Sequence, residues 1–321
     1  MNYVFIRKER IMAKDEILTK EIVQSLADKA TVDGYVLMDS YTTQVDKNTN
    51  TYLVGTMSGV GKINFKIWGG ALCDRLIADN HAGRICRVKG AVNDYNGNRS
   101  IVLDACDAYY GTEFEVDDFL EHKYDAVDLF DKLRKLIVTN CTESGVQVFD
   151  LLINPIKDRF CKEFAASFHH DSCPNGLLAH TYKTVRIVQI IKFYPELSKV
   201  VDKDTLFLTA ALHDIGKVRE YCNGSISEDG MKMSHLSLGL EMIAPYRDKI
   251  VALKGEMFYN YLFSVIQQHH GEYGERPRTL VAYLIHLIDG IEAKLTDADD
   301  AVASATMTQV KLDDYKLSFT R

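Results

Sequence analysis

The hydrophobic period of this chain changes once, near residue 125, and the change divides it into two bodies of different kind. Between about 31 and 110, five runs alternate apolar and polar residues or carry β-branched and aromatic clusters: VDGYVLMDSYTTQV, NTYLVGTMS, GKINFKIWG, GRICRVKGAVNDY and NRSIVLDACDAY. Text with a period of two reads as strands. From about 126 the period lengthens. VDLFDKLRKLIV, VQVFDLLINPIKDRFCKEFAASF, TYKTVRIVQIIKFY, TLFLTAAL and YNYLFSVIQQ place apolar residues at i, i+3 and i+4, the spacing of helices. All five prolines (Pro155, Pro174, Pro195, Pro245, Pro277) and eight of the ten histidines lie after residue 150.

The first half predicts a barrel. Asn96-Gly97, between the fourth and fifth runs, is a strong hairpin signal. GALCDRLIADNHAG, between the third and fourth, reads as one short helix. Five strands with a helix between the third and fourth is the order of an OB-fold. The reading is therefore a multi-domain α and β chain. Residues 1–30 form an extension and a helix, with Met12 opening MAKDEILTKEIV and residues 1–11 outside the fold. A five-stranded OB-fold barrel spans 31–110, an acidic connector (GTEFEVDDFLEHKYD) 111–125, and an all-α domain 126–321.

Composition narrows the function classes. With 46% hydrophobic and 26% charged residues, the chain is globular. A formal charge of -7 argues against an overall polyanion-binding surface. No apolar run reaches the roughly 18 residues that a membrane helix needs, and MNYVFIRKER lacks the apolar core of a signal peptide. Seven cysteines without CxxC spacing argue against a disulfide framework or a zinc ribbon, and for reduced thiols in a cytoplasmic protein.

The barrel segment carries eight basic and eight acidic residues, so any nucleic-acid affinity there must come from stacking. Tyr35, Tyr52, Phe65, Trp68 and Tyr95 are the aromatic candidates. In the third run Ile63, Phe65 and Ile67 share one parity, while Asn64, Lys66 and Trp68 share the other. Trp68 is the expected exposed platform.

In the helical half the ligand-type residues fall in an order. GLLAHT gives His180, ALHDIGK gives His213 and Asp214, KMSHLSLG gives His235, IQQHHGEYGERP gives His269 and His270, and HLIDGIEAKL gives Asp289. Imidazole and carboxylate together suit manganese, iron, cobalt, nickel or zinc. Seven ligands exceed the needs of one tetrahedral ion and suffice for two ions bridged by Asp214.

This order resembles that of the HD-domain metal-dependent phosphohydrolases. More narrowly, the chain is similar to the YhaM-type 3′–5′ exoribonucleases, which join an N-terminal OB-fold to a C-terminal HD domain. The likeness runs from about 15 to 300. It rests on VDGYVLM, HHDSCPNGLLAHT, YPEL, ALHDIGKVREY, MSHLSLG, HHGEYGERP and HLIDGIEAKL. The resemblance implies one ion on His180, His213, Asp214 and Asp289, and a second on Asp214, His235, His269 and His270. Two departures stand out. Ala179 replaces the usual glutamate before the first histidine, which leaves that histidine short of a supporting carboxylate. Glu292 replaces a second aspartate in the tail motif.

Two divalent ions roughly 3.5–4 Å apart activate a hydroxide and clamp the oxygens of an in-line displacement. Lys217, close behind His213, is expected to meet a non-bridging phosphate oxygen as charge builds. His169 and His170, before the DSCPNG loop, and Arg276 and Arg278, after the HH pair, are candidate substrate contacts. His286 shares a helical face with Asp289. The expected function is a metal-dependent 3′–5′ exoribonuclease, active on single-stranded RNA and also DNA, releasing nucleoside 5′-monophosphates. Two divalent ions, manganese in the first place, serve as cofactors, and the resemblance implies self-association into a homo-oligomer. The alternative is an HD-type cyclic mono- or dinucleotide phosphodiesterase or nucleotide phosphohydrolase. A third reading, an adaptor with a silent HD domain, requires a lost ligand, and all seven are present.

Overall fold

The computed structural model describes residues 16–95, 98–166, 171–222, 224–304, 308–312 and 315–320. Met12, Asn96-Gly97, His169 and His170 therefore lie outside the described residues. Two compact units divide the chain, one ending at His122 and the other beginning at Lys123. No helix among the described residues is long and apolar enough to cross a membrane.

The first unit holds α1 (Lys20–Ser25), β1 (Thr31–Val45), β2 (Thr51–Ser58), β3 (Lys62–Trp68), α2 (Ala71–Asp79), β4 (Ile85–Tyr95) and β5 (Asn98–Ala108). The strands close a barrel in the order β1-β2-β3-β5-β4, the expected OB arrangement. Closure depends on β1, whose first part pairs with β4 and whose second part pairs with β2. The register slips between Met38 and Ser40, and such a bulge bends a strand enough to serve two neighbours. Alternation decides the interior: Ile63, Phe65 and Ile67 are buried, while Lys62, Asn64 and Trp68 are exposed. Met38, Leu53, Met57, Val88 and Ile101 complete the core, and Cys73 and Leu76 bring α2 onto it.

The acidic segment is more than a connector. Phe114, just before a 3₁₀ turn (Val116–Phe119), and Phe119, its last residue, are buried with Ile17 and Leu37, and Phe114 packs on Tyr35 at 4.7 Å between ring centroids. Two aromatic side chains carry this burial, and the surrounding acidic residues conceal it in the sequence.

The second unit contains α3 (Ala126–Asn140), α4 (Glu143–Ile153), α5 (Lys157–Lys162), α6 (Gly176–Val188), α7 (Pro195–Val200), α8 (Lys203–Leu212), α9 (Lys217–Glu220), α10 (His235–Ile243), α11 (Arg247–Lys254), α12 (Glu256–Gln268) and α13 (Leu280–Ser304). It departs from all-α in two short hairpins, Tyr221–Cys222 with Ser225–Ile226 and Gln309–Leu312 with Tyr315–Ser318. Each is too short to give a readable alternation. At the centre lies α8, every residue of which from Asp204 to Leu212 is buried. A helix apolar all round belongs in a core, and this one delivers His213 at its C-terminal end.

Candidate metal centre

Five segments supply the site. His180 comes from α6, His213 and Asp214 from the turn after α8, His235 from the start of α10, His269 and His270 from the end of α12, and Asp289 from α13. The turn between α8 and α9 is tight: Lys217 donates its backbone N–H to the Asp214 carbonyl at 2.9 Å. Gly216 lets α10 come close, since a Cβ there would stand 1.9 Å from the His235 carbonyl oxygen. Glycine at this point allows His235 to approach Asp214.

The side chains converge in two groups that share one carboxylate. His180 Nε2 lies 3.4 Å and His213 Nε2 3.3 Å from Asp214 Oδ2. Asp289 Oδ1 joins them, 3.1 Å from His180 Nε2 and 3.7 Å from His213 Nε2. On the other side, His235 Nε2 is 3.6 Å and His269 Nε2 3.4 Å from Asp214 Oδ1, and His270 Nε2 is 2.8 Å from His235 Nε2. Both groups have donor atoms close enough to hold one ion each.

Three observations fit this set to divalent cations. First, Asp214 Oδ1 and His269 Nε2 are buried without a hydrogen-bond partner among the described residues, an arrangement that polar atoms avoid unless something else engages them. Second, four of the five histidines are held from behind by Nδ1. His213 Nδ1 meets the Ala210 carbonyl at 2.8 Å, and His269 Nδ1 meets those of Val265 and Ile266 at 3.1 Å. His235 Nδ1 meets Glu220 Oε2 at 2.9 Å, and His180 Nδ1 meets Glu292 Oε2 at 2.5 Å. Such backing fixes the tautomer and aims Nε2 at a metal. Third, the pocket demands positive charge. Burial opposes ionisation of Asp214, yet Lys217 and His213 hold it well below the usual carboxylate range. Burial likewise opposes Asp289, and His180 and His213 hold it low.

The imidazoles answer that demand unevenly. Against burial, Asp289 and Glu292 push His180 up to about 9, and Asp214 and Asp289 push His213 up to about 10. Burial, reinforced by His269, takes His270 down to about 3. A divalent cation would supply the charge that protons on His180 and His213 otherwise provide, and its binding would release them.

Several supporting residues escape a reading of ligand order. Glu292 is the chief one. It fills the role that Ala179 leaves open, from one helical turn beyond Asp289 on α13, and it also accepts from Thr296 Oγ1 at 2.6 Å. Its i+3 spacing from Asp289 was the available signal. The Ala179 and Glu292 departures thus leave His180 with a carboxylate partner. Behind Glu292, Lys183 Nζ bonds Asp171 at 2.9 Å and Thr296 Oγ1 at 3.0 Å, so the Asp171–His180–Glu292 group already contains a cation. His286 faces the carbonyl of His269 through Nδ1 at 2.7 Å. Its ring crowds Gly271, whose φ of 57° and lack of Cβ let the chain turn there. Replacing Glu292 with glutamine is expected to weaken metal affinity about 10–100-fold, the usual cost of losing such a partner. Glu292→Asp should recover part of it, and unchanged affinity by isothermal titration would remove Glu292 from the site.

Lys217 is buried rather than at the surface, with Nζ 2.7 Å from Asp214 Oδ2. Arg276 and Arg278 are exposed, and Arg278 pairs with Glu275 at 2.7 Å. In the barrel unit, Trp68 is 52% exposed and stands against Tyr52 at 5.2 Å between ring centroids. It lines a groove of about 750 Å³ together with Tyr41, Lys66, Tyr95 and Arg99. Phe65 is core, and Tyr35 packs under Phe114.

The HD domain family matches residues 177–294, a stretch that contains all seven candidate ligands. Proteins described as 3′–5′ exoribonuclease YhaM align over most of the chain. That of Shouchella clausii (strain KSM-K16) is 30% identical over 284 residues, covering 84% of this chain and 86% of its own. That of Bacillus subtilis (strain 168) is 25% identical, with 84% and 87% covered. The one from Geobacillus sp. (strain WCH70) is 24% identical, with 84% and 85% covered.

Proposed function

The chain belongs to the YhaM family of 3′–5′ exoribonucleases, and we propose that it hydrolyses single-stranded RNA from the 3′ end with two divalent ions, releasing nucleoside 5′-monophosphates. The observation that carries the two-ion reading is the sharing of Asp214, one oxygen facing His180 and His213, the other facing His235 and His269. His180, His213, Asp214 and Asp289 would hold one ion; Asp214, His235, His269 and His270 would hold the other. When bound, such ions act as Lewis acids and lower the pKa of water to make a nucleophile near neutrality.

The protein's own residues do the rest. Glu220, Glu292 and the helix-end carbonyls keep four imidazoles, those of His235, His180, His213 and His269, in fixed orientations. Lys217, whose ammonium is buried beside Asp214, would turn to a non-bridging phosphate oxygen once the carboxylate is engaged, and would stabilise charge building there. Five imidazoles and two carboxylates without thiolate form a set that takes manganese, iron, cobalt, nickel or zinc, and manganese is the ion proposed.

In the barrel, Trp68 and Tyr52 would offer stacking faces to bases, with Lys66 Nζ 5.8 Å from the Trp68 centroid available to the backbone. Trp68→Ala is expected to weaken binding of a single-stranded oligonucleotide by about 1–3 kcal/mol. Hydrolysis of a small phosphodiester such as bis-p-nitrophenyl phosphate should persist at the wild-type rate. Equal loss on both substrates would place Trp68 in folding instead.

The deciding experiment digests 5′-labelled single-stranded RNA with manganese, beside a cyclic dinucleotide and single-stranded DNA. A ladder shortening from the 3′ end, lost with chelator and restored by manganese, is expected. Intact RNA with a consumed cyclic dinucleotide would reassign the chain to the signalling phosphodiesterases.

A further inference from the structure

A second cluster of metal-type donors lies in the barrel, in the other compact unit from the site above. His81, the only histidine between residues 31 and 110, brings Nδ1 to 3.8 Å from Cys86 Sγ and 3.9 Å from Cys106 Sγ. All three donor atoms lie within 4.8 Å of one another, and all three residues are buried. We infer that His81, Cys86 and Cys106 form a binding site for one thiophilic d¹⁰ cation, zinc(II) or copper(I), which ties the turn after α2 to strands β4 and β5.

Placement is set by three separate elements. Cys86 pairs with Ala108 and Cys106 with Val88, so the two cysteines are diagonal neighbours on one face of the β4–β5 ladder, and both are wholly buried. The turn carrying His81 is pinned independently. Its N–H donates to Tyr41 Oη at 2.7 Å, that hydroxyl donates to the Leu76 carbonyl at 2.9 Å, and Gly83 N–H donates to the Met38 carbonyl at 2.7 Å. The imidazole is thereby held over the two sulfurs without help from an ion.

Distances and chemistry agree. Metal bonds of roughly 2.3 Å to sulfur and 2.0 Å to nitrogen, meeting at tetrahedral to trigonal angles, set sulfur–nitrogen edges of roughly 3.6–3.8 Å. The two edges here differ from those by a few tenths of an ångström. Thiolates select soft ions such as zinc and copper(I) over the harder ones that suit imidazole and carboxylate, so the two units would take different metals. Two thiolates and one zinc(II) are neutral together, which avoids burying net charge. A coordinating thiol gives up its proton to the ion it binds, so both sulfurs reach that state on binding. Binding breaks two S–H bonds, with both protons leaving to solvent, and forms two sulfur–metal bonds and one bond from the Nδ1 lone pair. No electron is transferred.

The spacing evades the usual sequence signals, because the cysteines are 19 residues apart and the histidine precedes them. The bland alternative is a trio of buried, hydrogen-bonded groups, with Cys86 Sγ also 3.7 Å from the Arg84 carbonyl. Cobalt(II) separates the two readings on the reduced full-length chain. The seven HD ligands are nitrogen and oxygen, so only thiolate ligation gives an intense sulfur-to-cobalt charge-transfer band in the near ultraviolet. One such cobalt per chain is expected, displaced by one equivalent of zinc. The band should vanish in Cys86→Ser and Cys106→Ser, and persist in Cys73→Ser and Cys222→Ser. Because loss of the fold in a serine variant would also remove the band, zinc-edge X-ray absorption on the wild-type chain gives the second reading, with two sulfur scatterers expected. A parallel titration with copper(I) against a chromophoric chelator distinguishes the second ion. A band surviving in Cys106→Ser, or no sulfur ligation of any of these metals in the wild type, would overturn the assignment.

Discussion

Asp214→Ala will abolish RNA hydrolysis, with a fall in rate well beyond the roughly 10–100-fold that loss of a supporting partner costs. The reason lies in the sharing. Each oxygen of Asp214 faces a different pair of histidines, so one substitution removes a ligand from both halves. It also removes the ion-pair partner of buried Lys217. Metal content of the helical unit by elemental analysis should fall by one ion or more. Asp214→Asn, which keeps volume and one carbonyl oxygen, separates lost charge from lost packing. Far-ultraviolet circular dichroism should show both variants folded. Full activity in either would sink the bridging role.

The second large effect concerns stability and lies away from the chemistry. Asp204, in the first turn of α8, is buried and holds three groups. It accepts from the Thr142 N–H at 2.8 Å, from the Thr142 hydroxyl, and from Lys254 Nζ at 2.6 Å. It thereby joins α8 to the N-cap of α4 and the last turn of α11. Removing one member of a buried pair leaves the other charge uncompensated, so Asp204→Ala is expected to cost about 3–5 kcal/mol in urea unfolding. A loss under about 1 kcal/mol would show that Lys254 finds water instead.

The pH dependence of that contribution has a definite sign. Burial opposes ionisation of Asp204, but the hydrogen bonds from Lys254 and Thr142 hold its pKa below the ordinary value. A carboxyl with a depressed folded pKa stabilises fully above the unfolded value, about 3.9, and loses that contribution as pH falls through the folded one. The gap in stability between wild type and Asp204→Asn should therefore be constant near neutrality and shrink below about pH 4. A gap that widens on acidification would mean that a different group is titrating.

Much of the architecture was legible because side-chain period is a local property. Ile63, Phe65 and Ile67 had to share a face opposite Asn64, Lys66 and Trp68 once the segment was a strand, and that alone placed Trp68 outside. The apolar run LFLTAAL could only be a core helix, so the His213–Asp214 pair at its end had to stand at the edge of a core. The ligand order was legible for a similar reason: each ligand type is chemically distinctive and lies beside an apolar helix. The two short hairpins and the buried phenylalanines of the acidic segment were not legible. Too few residues carry the signal in each.

What the sequence by itself determined is the set of candidate donors, the barrel's strand order and the helical class of the second unit. Only the tertiary structure decided how those donors are used. Glu292 supports His180 across 112 residues, Lys183 fills the space behind it, and Asp214 turns one oxygen to each histidine pair. Cys86 and Cys106 meet on the β4–β5 ladder, and His81 joins them because its turn is pinned to β1 through Tyr41 and Met38. The physical reason is common to all four. Periodicity fixes the face on which a residue sits. Which two faces meet is settled by packing between elements far apart in sequence, where close-packed volume and paired charge leave few arrangements.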